Sequence, residues 1–123
     1  MTVAADEVEI LRSVLDRWRS AVDAHEPERV ASVFADDAIF QGLRPYVVGR
    51  DGIAAYYAAQ PLGLTAAYEI RETRRLSADA VLGYLEVEFG FTDRPALTVH
   101  LGVVVRRVAD AWLIGHYQVS KLD

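Results

Sequence analysis

Cysteine is missing from all 123 residues. That absence removes disulfides, thiolate catalysis and cysteine metal sites together, and it suits a reducing cytoplasm. Positive charge is also short: thirteen basic residues against eighteen acidic ones leave a net charge of −5. The electrostatic footprint of a nucleic-acid binder is therefore lacking. The longest uncharged run, Gly52–Tyr68, is broken by Gln60, Pro61 and Gly63 and is not the continuous apolar stretch of ~18 residues that a membrane span requires, and the opening MTVAADEVE is acidic where a signal peptide is basic. The chain has no glycine-rich phosphate loop, nucleophile elbow, dinucleotide fingerprint or His-Glu-x-x-His. Repeats, low-complexity tracts and linkers are absent as well. What is present is ordinary globular composition, 52% hydrophobic and 25% charged. The expectation is one soluble, cytoplasmic domain over 1–123, with no cofactor, no metal, no nucleic acid and no membrane partner.

Along the chain, Val8, Leu11, Leu15, Trp18 and Val22 fall three or four apart, with Glu9, Arg12, Asp16, Arg19 and Asp23 on the other face. This predicts a long amphipathic helix from Asp6 to about Ala24, opened by a capping box of Asp6 and Glu9. His25-Glu26-Pro27 interrupts it, and Pro27 suits the first turn of a short second helix through Val30, Val33 and Phe34. In VFADDAIF the chain turns on two aspartates and enters a strand at Ala38–Gln41. A loop from Gly42 to Tyr46 and a short extended piece at Val47-Val48 lead to a third helix, capped by Asp51 and stopped by Pro61 and Gly63. Four strands follow, near Thr65–Leu76, Ala80–Phe91, Ala96–Val108 and Ala111–Ser120. The order is ααβα and then four β-strands, an α+β protein. A sheet that curls around so few helices leaves a cavity.

Alternation along the strands sorts the side chains by face. Val81, Gly83, Leu85, Val87 and Phe89 share one parity with Leu97, Val99, Leu101, Val103 and Val105 on the next strand. The opposite parity carries Tyr84, Glu86, Glu88 and His100, and on the last strand His116 and Gln118. Two arrangements satisfy this pattern. Either the apolar face packs on the helices and the polar face meets water, or the polar face is the concave wall of the cavity and a partner subunit covers the apolar one.

Four segments carry a resemblance: the first helix with Trp18, VFADDAIF (Val33 to Phe40), GRDGIAAYY (Gly49 to Tyr57) and the closing WLIGHYQVS (Trp112 to Ser120). Over nearly the whole chain they resemble the nuclear-transport-factor-2-like superfamily, and within it the SnoaL-like branch. The resemblance implies a cone-shaped fold: a strongly curved, mostly antiparallel sheet wrapped around three N-terminal helices, with a pocket at the wide end and frequent homodimers. It does not imply one reaction, because the superfamily spans isomerases, dehydratases, cyclases, epoxide hydrolases and non-enzymatic binders. Set beside ketosteroid isomerase, the position of the general-base aspartate is Gly42 and that of the oxyanion-hole tyrosine is Trp18. A supporting tyrosine is matched by Tyr57. The second acid falls near Gly102 or Val103. Isomerisation by that mechanism is excluded.

The same register favours the polar parity as pocket wall. On that reading the chain performs cofactor-independent acid–base chemistry on a small, mainly apolar organic molecule, such as isomerisation, dehydration, cyclisation or epoxide hydrolysis. His116 is the expected proton shuttle and Glu86 its partner. Trp18, Tyr57, Tyr84, His100, Gln118 and the loop residue Tyr46 are the expected substrate contacts. The rival function is a non-catalytic binding or carrier domain using the same cavity. A homodimer through the outer sheet face is expected in either case.

Overall fold

The structure is a computed structural model that describes residues 6–121; the expected domain limits at 1 and 123 lie outside the described residues. Helix α1 (Glu7–Asp23) begins where Asp6 accepts a hydrogen bond of 2.8 Å from the Glu9 amide. Its apolar stripe of Leu11, Val14, Leu15, Trp18 and Val22 is buried. The helix ends with His25 at φ 52, in the left-handed region, and Pro27 opens α2 (Pro27–Ser32).

Phe34 is not part of α2, as the sequence suggested, but begins strand β1 (Phe34–Gln41). The strand starts early because Phe34 and Phe40 both bury into the core, and β1 pairs in parallel with the last strand. Asp36 and Asp37 do not precede the strand. They sit within it, where the register shifts, and Asp37 forms an ion pair with Arg106. After β2 (Val47–Val48), helix α3 (Arg50–Ala58) opens at Gly49, with φ 90 and no side-chain cap, so the expected cap by Asp51 does not form.

Strands β3 (Thr65–Ser77), β4 (Ala80–Gly90), β5 (Leu97–Val108) and β6 (Ala111–Lys121) complete one six-stranded sheet in the order β2-β1-β6-β5-β4-β3. Every neighbouring pair is antiparallel except β1 with β6. The turn between β5 and β6 places Ala109 and Asp110 at φ 48 and 68, the geometry that the twist of a tight hairpin demands. The sheet curves around the helices as a cone.

Helix α1 decides which face of the sheet is inside. A Cβ added to Gly83 would lie 2.9 Å from both methyl carbons of Leu11, so α1 rests directly on β4. Beneath it Val81, Leu85, Val87, Val99, Leu101, Val103 and Val105 are all buried. Burying each of these is worth ~1.5–3 kcal/mol, so the richest apolar face of the sheet goes to the helix with the longest apolar stripe. The apolar parity is thus the internal core. The expectation that a partner subunit covers it is corrected, and with it the expectation that the polar parity lines the cavity.

Candidate ligand cavity

The cavity lies between α3 and the inner faces of β4, β5 and β6. Its volume is about 50 Å³, and its walls include Leu43, Tyr56, Tyr57, Leu64, Phe89, Phe91, Leu97, Tyr117 and Val119. These walls are mostly hydrocarbon. Their polar groups are the hydroxyls of Tyr56, Tyr57 and Tyr117 and the amide of Gln60.

Tyr117 reaches this position through an irregularity in β6. Val103 pairs with Tyr117 and Val104 with His116, but Val105 pairs with Ile114, so Gly115 is an extra residue. Ile114 and Tyr117 therefore both face inward, and His116 faces outward. A side chain at Gly115 would meet Arg106 Nε at 2.5 Å, because that guanidinium crosses the bulge on its way to Asp37. Inside, the Tyr117 ring stacks on Phe40, with centroids 4.4 Å apart and planes 14° apart.

Three polar groups meet behind the apolar walls. Trp18 Nε1 donates to the Tyr57 hydroxyl at 3.0 Å, and the Tyr117 phenol lies close enough for the two hydroxyls to interact. The cluster holds three donor protons, one on the indole and two on phenols. Trp18 uses its own on Tyr57. The two phenols can share at most one proton between them, so at least one is left for an acceptor in the cavity. Burial pushes the Tyr57 hydroxyl well above the usual phenol range, and the bonds from Trp18 and Tyr117 only partly offset this. Burial raises Tyr117 in the same way, and its neighbour Tyr57 adds to the shift. Both phenols thus stay neutral donors across the physiological range.

Tyr56 forms a further wall. Burial raises its pKa too, against the Leu43 backbone and the Arg44 charge. Its ring meets Phe40 edge-on at 4.8 Å, and its hydroxyl rests over Gly42, 2.5 Å from where a Cβ would stand. A tyrosine from the neighbouring helix thus fills the space that a side chain at position 42 would take.

Most of the residues expected at the site lie elsewhere. Tyr57 lines the cavity, and Trp18 supports it from behind. Tyr84, Glu86, His100, His116 and Gln118 face outward: Tyr84 Oη lies 2.9 Å from His100 Nδ1, and Glu86 accepts from Arg71 at 2.9 Å. Glu86 pairs across the ladder with His100, whereas His116 lies beyond β5, between Val104 and Ile39. The two are not brought together. Tyr46 is 64% exposed and stands apart from the cavity walls. Sequence reasoning missed Tyr56, Tyr117, Phe89, Phe91, Leu97 and Val119. An isolated glycine inside the last strand, Gly115, was the available signal for the parity break that turns Tyr117 inward.

A larger groove of about 800 Å³ runs between α1 and the edge of β3, with Arg12, Asp16, Tyr68, Glu69 and Arg71 among its walls. It is open and ionic, and several of its charges are paired. Arg71 bonds Glu69 and Glu86, and Tyr68 donates to Asp16 at 2.5 Å. Among the described residues no group of histidines and carboxylates is arranged to hold a metal, and no helix is long and apolar enough to cross a membrane.

The SnoaL-like domain family matches residues 2–118. No curated protein matches the chain. Among solved structures, a candidate calcium/calmodulin-dependent protein kinase II association domain from Xanthomonas campestris superposes with a TM-score of 0.85 at 19% identity, over 99% of this chain and 92% of that one. An NTF-2-like protein of unknown function from Shewanella oneidensis gives 0.81 at 16% identity, over 94% and 100%. A ketosteroid isomerase-like protein from Erwinia carotovora atroseptica gives 0.76 at 22% identity, over 98% and 99%. At such identities the likeness carries the fold.

Proposed function

The chain belongs to the SnoaL-like domain family, and from that premise we propose that it binds a small, mainly apolar organic molecule carrying one acceptor oxygen, with no chemical step. The observation that carries this reading is the Trp18–Tyr57–Tyr117 cluster, whose two phenols line a cavity walled otherwise by hydrocarbon and hold more donor protons than the cluster itself can accept. A ligand carbonyl or ether oxygen would accept from such a phenol, a hydrogen bond worth ~0.5–1.5 kcal/mol net. Acid–base turnover needs a group that changes protonation near neutrality. Among the described residues the walls hold no carboxylate, imidazole or amine, and Gly42, matched by resemblance to the isomerase base, is covered by Tyr56. The binding reading therefore displaces the acid–base one. Unfilled space and a spare donor also argue against a pure dimerisation module.

Cyclohexanone and methylcyclohexane are matched probes, one with the oxygen and one without. Followed by Trp fluorescence, wild type is expected to bind the ketone more tightly than the hydrocarbon. Tyr57→Phe should cost about tenfold on the ketone, equivalent to ~1.4 kcal/mol, and little on the hydrocarbon. Equal affinities for both probes in both proteins would refute the role of the phenol cluster.

We also propose a second copy of the chain as partner, on the outer sheet face. Leu82, Val104, His116, Ile39 and Val48 are successive ladder partners, and form one row across five strands. Ile39 and Val48 are half exposed, and Leu82, Val104 and His116 partly so. A largely aliphatic row of this length on a charged surface fits a like surface better than water.

A further inference from the structure

At about 50 Å³ the cavity holds a water molecule or two, whereas a six-membered ring needs roughly 150 Å³. One wall has to move before an organic ligand enters. Most cannot. Tyr117 is stacked on Phe40, Tyr57 is held by Trp18, and Phe89 packs edge-on against Trp18 at 6.2 Å. All three aromatic contacts are anchored in the core.

Tyr56 differs. It stands near the end of α3, is only partly buried, and adjoins Leu43, which is 51% exposed. What holds its ring against the cavity is a slot with no side chain: Gly42 is buried, and the phenol tip occupies the volume its Cβ would need, with Oη at 2.5 Å and Cζ at 2.7 Å from that position. Inward rotation is blocked by the rings of Phe40 at 4.8 Å and Tyr57 at 5.2 Å. The free direction is outward, past Leu43.

We infer that Tyr56 sets the size of the ligand: its phenol, seated in the Gly42 slot, closes the cavity, and its outward swing opens room for a single six-membered ring bearing a carbonyl oxygen. This rests on the binding function proposed above and names the ligand class. The Tyr57–Tyr117 hydroxyls receive the oxygen at the inner end, and the ring of the ligand takes the place of the ring of Tyr56. The room gained is that of one phenol ring, so a fused bicyclic ketone is expected not to fit while Tyr56 is present.

The closed state taxes affinity in proportion to its population. If it predominates about tenfold, its removal tightens binding by about tenfold. Gly42→Ala removes it, because the added methyl collides with the phenol tip. Tyr56→Ala removes the wall itself. The probes are cyclohexanone and 1-tetralone, and circular dichroism reports whether each variant is folded. Gly42→Ala is expected to bind cyclohexanone several-fold to tenfold more tightly than wild type. Tyr56→Ala should bind both ketones, while wild type rejects 1-tetralone. If wild type binds cyclohexanone and Tyr56→Ala changes neither its affinity nor the rejection of 1-tetralone, Tyr56 is not the gate and the binding function stands. If wild type and folded Tyr56→Ala bind neither ketone, the binding function fails and this inference with it.

Discussion

Tyr57 and Tyr117 carry their hydroxyls into a core of Trp18, Phe40 and Phe89, and that environment makes them sensitive to alkali. Their folded-state pKa values are raised by burial, whereas in the unfolded chain a phenol titrates near ~10. Above that pH the unfolded state loses protons that the folded state keeps, so stability falls as pH rises. The slope is ~1.4 kcal/mol per pH unit for each buried phenol. Denaturant midpoints taken from pH 8 to 12 should decline from about pH 10 onward, and Tyr57→Phe should shallow the decline. A flat profile in wild type would mean that these phenols are hydrated. On the outer face the expectation is the reverse. Glu86→Gln and His116→Ala remove groups that touch neither the cavity nor each other, so ketone affinity should stay within about twofold of wild type in each. Gly42 stood out in the sequence only through the resemblance, as the position where ketosteroid isomerase has its base. That Tyr56 takes over its space was not legible there, because the contact joins a loop to a helix that no local pattern connects.

Among the elements, α1 was readable almost to the residue, since its cap and its three-and-four spacing are local properties. The strands were readable as strands, but their facing was not. Alternation says which residues share a face, and only the packing of a helix says which face is inside. Leu11 against Gly83 settles that here. In β6 even alternation fails, because the bulge at Gly115 turns two inward residues, Ile114 and Tyr117, to the same side. Gly115 is also where the Arg106 side chain crosses, with no room for a Cβ. Gly115→Val is therefore expected to displace Arg106 from Asp37, shift the register of β6 and cost on the order of 2 kcal/mol of stability. It should also weaken ketone binding by turning Tyr117. Urea denaturation together with the cyclohexanone titration checks both effects, and a variant as stable and as active in binding as wild type would show that the bulge does not position Tyr117.

At the scale of the whole molecule, the cone has two faces with different tasks. The inner face of the sheet closes on the chain's own helices and leaves a small apolar cavity. The outer face presents the row from Leu82 to Val48, where a second copy is proposed to sit. Val104→Lys would place a charge mid-row and should yield a monomer by sedimentation at micromolar concentration, with the ketone affinity retained. The central claim is that ligand enters between helices and sheet rather than onto the polar outer face. Nuclear Overhauser spectroscopy on methyl-labelled protein with bound cyclohexanone tests it most directly. The account predicts contacts from the ligand ring to the methyls of Leu43, Leu64, Leu97 and Val119. Contacts to Leu82 and Val104 instead would place the ligand on the opposite face and contradict it.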